Sequence, residues 1–400
     1  IANDGSIYIA GSTVDDIDGQ INRGGRDQYV TKFNSDGSKE WTTLLGSSED
    51  EDVLSLDIGI DGSIYIAGIK DAYRTNDIGA RSLYRPPVIS KLNHEGKIIW
   101  SKFFDHDGYF NQRGVTGFTL GDDDSIYMTG STYDALDYRS GEDFDDLDGQ
   151  VISGTSDGYI TKFNNDGSKE WTKLFGTSGS DQGNIISAGS EGAIYILGST
   201  DYYDGKINES YATTISKFNP DGTEVWTNLI DFDSYSSVSI SDIKLGSDDA
   251  IYLCGNTNGP LDGQTHYGNG DGFVTKLNSD GGKDWTRVIG SPKNDYFFNL
   301  TLDNNTNIYI SGMYHEREKK DYYYINHYPQ FITKVTNLFT PTDISLSSNN
   351  FDENIDLDSV VATLSTRDAD EDDSHSYSFW RIGEAGSDNN SFTIDGNKLK

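Results

Sequence analysis

The chain has 400 residues, a formal net charge of −34 and an isoelectric point near 4.3. Its long-range field therefore repels phosphate backbones and anionic membrane faces, which excludes nucleic acid as a partner class; the same excess suits either attraction of divalent cations or plain solubility in a salt-rich medium. The single cysteine, Cys254, excludes an intrachain disulfide, and no apolar run approaches the ~20 residues that a membrane-spanning helix needs.

The first predicted element is the phrase Ile7-Tyr-Ile-Ala-Gly11. It returns at Ile64, Ile126, Ile194, Ile251 and Ile308, at intervals of 57, 62, 68, 57 and 57 residues. A Lys-bearing phrase follows each copy: Tyr29 to Phe33, Val88 to Leu92, Tyr159 to Phe163, Thr214 to Phe218, Phe273 to Leu277 and Phe331 to Val335. A third run is centred on Trp41, Trp100, Trp171, Trp226 and Trp285. All three are short, rich in β-branched and aromatic residues, and bounded by Gly, Asn and Asp, which is the signature of strands. Turns such as Asn34-Ser-Asp-Gly37 and Asn219-Pro-Asp-Gly222 join the second to the third. A weaker fourth strand follows each Trp run, as in Val53 to Ile58 and Val238 to Ile243.

Four antiparallel strands repeated without helices predict the blades of a β-propeller. In such a ring the Trp of the outer strand fills the widening gap between blades, and the Gly closing each Ile-Tyr phrase lets backbones approach near the narrow axis. The first copy lacks a fourth-type strand before Ile7 and the last has no Trp strand after Val335. The expectation is a piece of a longer protein whose intact ring holds six or seven blades.

The loop joining the Ile-Tyr strand to the Lys strand is the longest and most variable element. It carries Asp16-Ile-Asp-Gly-Gln20, Asp146-Leu-Asp-Gly-Gln150 and Leu261-Asp-Gly-Gln264, together with Tyr73, Tyr133, Tyr138, Tyr202, Tyr203, Tyr267 and Tyr322 to Tyr324. Two readings stand. Tyrosines beside acidic and amide groups suit stacking on sugars, and Asp-Gly-Gln is equally a repeat-specific turn. Asp27, Asp157 and Asp271, just before the Lys strand, read as turn anchors rather than ligands. In Asp143 to Gly149 a calcium-loop register fails because Leu147 takes a ligand position.

These spaced phrases, from Asp-Gly-Ser-Ile-Tyr-Ile-Ala-Gly to Lys-Phe-Asn-Ser-Asp-Gly-Ser-Lys-Glu-Trp41, resemble the SBBP repeats, a seven-bladed propeller repeat of large secreted bacterial proteins. The resemblance covers residues 1–337 and implies a secreted or cell-surface location.

From Pro341 the period ends. Pro341 to Ser347, Val360 to Ser365, Tyr377 to Phe379 and Phe392 to Asp395 alternate apolar residues with turn signals, as in a β-sandwich. Residues 338–400 resemble the start of a cadherin-like domain. That resemblance implies calcium ligands at Glu353, Asp368 and Asp370, and hard carboxylate oxygens spaced two apart can converge on Ca²⁺. A plain acidic turn is the alternative, since no Asp-rich linker precedes Pro341.

The six histidines show no metal-binding spacing, and neither a Gly-x-Ser-x-Gly elbow nor a phosphate loop is present. Cys254 falls where other copies carry Ala10, Ala67, Thr129, Leu197 or Ser311, a small packed position rather than a nucleophile. The sequence thus predicts an all-β chain, a propeller of four-stranded blades followed by a partial sandwich. Its predicted role is a non-catalytic extracellular binding or adhesion scaffold, with a protein or glycan at the cell surface as partner, calcium as the implied cofactor and no insertion into a membrane. A lectin-like propeller and a calcium-dependent hydrolase or lyase working over the axis are the rival classes.

Overall fold

The computed structural model describes residues 2, 4–75, 81–104, 114–133, 146–203, 206–232, 237–247, 249–303, 306–320 and 323–335, with four short strands further on. The chain is an all-β propeller of six blades; the one helical turn among the described residues is a 3-10 turn at Ser190–Gly192.

The first blade comprises β1 (Ile7–Thr13), β2 (Asp27–Phe33) and β3 (Lys39–Leu45). The second runs through β4 (Glu51–Ile58), β5 (Ile64–Lys70), the hairpin β6 (Ala72–Thr75) and β7 (Arg81–Tyr84), then β8 (Pro87–Leu92) and β9 (Ile98–Phe103). The third holds β10 (Val115–Leu120), β11 (Ile126–Tyr133), the short pair β12 (Asp146–Leu147) and β13 (Gln150–Val151), then β14 (Ser156–Phe163) and β15 (Lys169–Phe175). The fourth is β16 (Asp181–Ala188), β17 (Ile194–Tyr203), β18 (Lys206–Phe218) and β19 (Glu224–Leu229). The fifth is β20 (Val238–Leu245), β21 (Ile251–Thr257), β22 (Asp271–Leu277) and β23 (Lys283–Ile289). The sixth is β24 (Asn294–Leu302), β25 (Ile308–Lys320), β26 (Tyr323–His327) and β27 (Gln330–Val335).

Each full blade is an antiparallel sheet in the order β4-β5-β8-β9 or its equivalent. The weakly patterned strand is innermost, since β4, β10, β16 and β20 meet one another across blades. The Trp strand is outermost. The Ile-Tyr strand, sandwiched second from the axis, is buried on both faces: Ile64, Tyr65 and Ile66 are fully buried, as are Ile194, Tyr195 and Ile196. Burial on this scale stabilises the fold by roughly 1.5–3 kcal/mol per large side chain. Cross-strand register then sets Tyr, Lys and Trp side by side: Tyr65 opposes Lys91, and Lys91 opposes Trp100. The Lys91 ammonium sits 4.8 Å from the Tyr65 ring centre, while that ring meets Trp100 edge-on at 6.3 Å.

The Gly that closes each Ile-Tyr phrase lies on this second strand rather than at the axis. A Cβ on Gly68 would stand 2.1 Å from the Asp52 carbonyl, and one on Gly255 2.1 Å from that of Ser239. The innermost strand bulges at this level, between Val53 and Ser55 and between Ile240 and Asp242, which brings its backbone inward and leaves no room for a side chain.

The outer Trp does fill the space between blades. Trp41 donates from Nε1 to the His94 carbonyl of the next blade at 3.3 Å. The Trp41, Trp171 and Trp226 rings press on the turn glycines Gly96, Gly222 and Gly281, where a Cβ would meet the ring at 2.7, 2.8 and 2.8 Å. These glycines also have φ of +79°, +79° and +81°, so the turn type and the seat for the Trp require the same residue.

The first sheet is three-stranded, so β1 carries no inner strand among the described residues. Ile9 is accordingly 49% exposed, whereas its equivalents Ile66 and Leu253 are fully buried.

By compactness the chain divides into residues Ile1–Thr301 with Ile310–Ile332, and Leu302–Tyr309 with Thr333–Lys400. The second unit includes β28 (Asp343–Leu346), β29 (Ala362–Arg367), β30 (Ile394–Asp395) and β31 (Lys398–Leu399), antiparallel in the order β28-β29-β31-β30. Glu353, Asp368 and Asp370 lie outside the described residues.

Candidate functional site

The Asp-Gly-Gln loops are structural straps. Asp18, Asp148 and Asp262 take φ of 51°, 55° and 49°, and the following glycines 76°, 75° and 73°, which doubles the loop back on itself. The Gln then lies along the free edge of the outer strand. Gln20 Nε2 donates to Thr42 O at 2.6 Å and its Oε1 accepts from Leu44 N at 3.0 Å. Gln150 makes the same bonds with Thr172 O at 2.7 Å and Leu174 N at 3.2 Å, and Gln264 with Thr286 O and Val288 N. A carboxamide thus imitates one peptide of a further strand. Lys39, Lys169 and Lys283 pin the loop through Asp18, Asp148 and Asp262, each at 2.6 Å. Of the loop tyrosines, Tyr267 is described and 58% exposed; the side chains of the others lie outside the described residues.

Asp27, Asp157 and Asp271 are buried anchors: each accepts one backbone N–H through Oδ2, from Arg23 at 2.9 Å, Ser153 at 2.9 Å and Tyr267 at 2.6 Å. Burial pushes the Asp157 carboxyl up to about 6; the bond from Ser153 opposes this and the Asp181 charge adds to it. Cys254 is fully buried and its thiol is pushed up to about 12, by burial first and then by the Asp242 charge, so it stays protonated and inert at neutral pH.

The concave feature that gathers several blades is the axial cleft, about 390 Å³ in volume. Ser55 and Leu56 of the second blade, Thr116 and Phe118 of the third, Ile185 of the fourth, Asp242 and Lys244 of the fifth and Asn299 of the sixth line it. A second hollow of about 340 Å³ shares Thr116 and adds Arg85, Ser131, Gln182 and Asn184. Lys244 is the one Lys or Arg on the five innermost strands.

Two carboxylates converge on this region, and both are committed to the backbone. Asp242 Oδ1 accepts from Ile243 N at 2.8 Å and Lys244 Nζ at 3.2 Å, while Oδ2 accepts from Leu300 N of the next blade at 3.0 Å. Asp57 accepts from Ile58 N at 2.9 Å and, across to the third blade, from Leu120 N at 3.1 Å. Burial raises the Asp57 pKa, while those two bonds and the Lys244 charge pull it down. Both acids therefore tie neighbouring blades together, and burial leaves the Asp57 pKa raised on balance. Among the described residues no group of three or more His, Cys, Asp or Glu is placed to hold a metal. Ser55 and Asn299, by contrast, make no side-chain hydrogen bond among the described residues and face the cleft.

Sequence reasoning named the axis as the place of a site in one rival reading but found none of the cleft's residues, because they come one or two at a time from the least patterned strand of each blade. The signal available was the pair Asp242 and Lys244, two charges inside an otherwise apolar and small-polar strand.

No family model matches the chain. It is 26% identical over 267 residues to the regulatory protein FlaEY of Caulobacter vibrioides, a match covering 60% of this chain and 25% of that protein; the chain thus spans about a quarter of that relative's length. Among solved structures, a protein of unknown function from Dyadobacter fermentans is similar at 12% identity over 83% of this chain and 91% of that one, with a TM-score of 0.47. The polysaccharide lyase Uly1 is similar at 12% identity over 88% and 84%, with a TM-score of 0.40. A Trypanosoma rangeli sialidase is similar at 11% identity over 83% and 52%, with a TM-score of 0.38. The class, a six-bladed β-propeller repeat protein, rests on the chain's own repeated four-stranded sheets. Likeness of this degree defines no activity for the chain.

Proposed function

We propose that the propeller is the non-catalytic binding platform of a secreted or cell-surface protein, an adhesion scaffold whose ligand docks in the axial cleft. The observation that carries this reading is the division of labour at the axis. Asp57 and Asp242 spend their oxygens on backbone N–H groups of neighbouring blades, while Lys244, Ser55 and Asn299 present polar groups to the open cleft. Such a surface offers hydrogen-bonding recognition, with its carboxylates already engaged in holding the blades together. In the same reading the repeats are of the SBBP kind. The C-terminal segment is then a cadherin-like spacer stiffened by calcium at Glu353, Asp368 and Asp370, supported by donor type and spacing.

The test is binding of fluorescently labelled protein to intact cells of the producing organism, with Ser55→Trp filling the cleft. Wild type binds and the folded variant does not. Equal binding by both would move the ligand elsewhere on the molecule.

A further inference from the structure

We propose that the axial cleft reads a neutral, hydroxyl-rich ligand, one or two sugar rings of a surface glycan, through Lys244, Asn299 and Ser55. This rests on the cleft being the docking site proposed above. Size comes first. A volume of about 390 Å³ holds a small ligand, whereas an entering protein helix is about 10 Å across with its side chains and needs far more.

Charge comes second. Asp242 and Lys244 line the cleft, and Asp57 lies within electrostatic reach of Lys244, so two carboxylates stand against one ammonium within a chain of net charge −34. An anionic ligand meets repulsion from both, and a cationic one, though drawn by the overall field, must displace Lys244 from Asp242. A neutral ligand meets neither cost.

Donor and acceptor types come third. Lys244 has three N–H donors and directs one to Asp242 at 3.2 Å. Asn299 supplies a donor pair and an acceptor, and Ser55 a hydroxyl that does either. Hydroxyls are the ligand groups that can both give and take from such a mixture. Beside them Leu54, 40% exposed, and Leu56 form an apolar wall for the C–H face of a ring.

The experiment is calorimetric titration with neutral oligosaccharides cut from glucan, mannan and galactan, and with oligogalacturonate as the anionic control. It is run on wild type, Lys244→Met and Asn299→Ala, each checked for an unchanged melting midpoint. At least one neutral series binds, each substitution weakens it by about tenfold or more, and oligogalacturonate binds about tenfold more weakly. Asn299→Ala keeps the test open if Lys244→Met unfolds. Tighter binding of oligogalacturonate overturns the neutral-ligand assignment. No oligosaccharide binding, with cell binding still abolished by Ser55→Trp, overturns the sugar and leaves the platform. Cell binding that survives Ser55→Trp overturns the axial cleft as the docking site, and the sugar assignment with it.

Discussion

Gln20 donates from Nε2 to the carbonyl of Thr42 at 2.6 Å, a side chain taking the place of a strand at the edge of its own blade. An unpaired outer edge is a template for association with another sheet. Replacing Gln20, Gln150 and Gln264 together by Ala is expected to lower stability by about 1 kcal/mol per site and to produce concentration-dependent association in light scattering. A triple variant as monodisperse as wild type would show that the straps do not protect the edges.

The bulge of the innermost strand makes a sharp demand on the second strand. Gly68→Ala and Gly255→Ala each drive a methyl into a backbone carbonyl, at 2.1 Å in both cases. The expected cost is about 2–3 kcal/mol each in chemical denaturation. Gly270→Ala, whose Cβ would meet nothing closer than 3.5 Å, is the control and stays within about 0.5 kcal/mol. Equal effects at all three would contradict the packing account.

Asp157 predicts a pH dependence. Its folded pKa of about 6 lies above the ordinary 3.8, so the folded state holds the proton more tightly. The stabilisation this gives is fully present below 3.8 and is lost as pH rises through about 6. Asp157→Asn removes that loss, on the order of 2–3 kcal/mol at neutral pH. The melting midpoint of the variant should exceed wild type at pH ~7.5 and converge with it near pH ~4. A constant difference across the range would assign the effect to something other than ionisation.

Calcium is the third arm of the proposal. Added Ca²⁺ is expected to raise the melting midpoint of the wild-type chain, and Asp368→Asn with Asp370→Asn to abolish that rise while leaving the chelated midpoint unchanged. A chelator-insensitive midpoint in wild type removes calcium from the account.

The blades were legible in the sequence because their strongest strands are buried on both faces, so Ile64, Tyr65 and Ile66 print an apolar phrase that recurs almost unchanged. The outer strand was legible through Trp41 and its copies, whose seat on a turn glycine links two separate motifs. The glycine after each Ile-Tyr phrase was read correctly as a close-approach residue and placed wrongly. Its partner is the bulged inner strand, and a bulge leaves no mark in residue spacing. Asp-Gly-Gln was recognisable as a repeat but its task was not, because Gln20 acts on Thr42 of a strand that its own loop does not adjoin in sequence. The cleft was hidden for a related reason: Ser55, Lys244 and Asn299 are far apart in the chain, and only closure of the blades around an axis brings them together. The acidic residues that stood out, Glu353, Asp368 and Asp370, belong to the part of the chain outside the described residues.

The central claim is that ligand recognition occurs at the axis, and hydroxyl-radical footprinting of the labelled protein, free and bound to intact cells, tests it most directly. Binding should protect Leu54, Leu56 and Lys244 while Val225 and Ile99 on the outer strands react as before. Protection confined to the outer strands, with Leu54 as reactive in the bound as in the free protein, would contradict it.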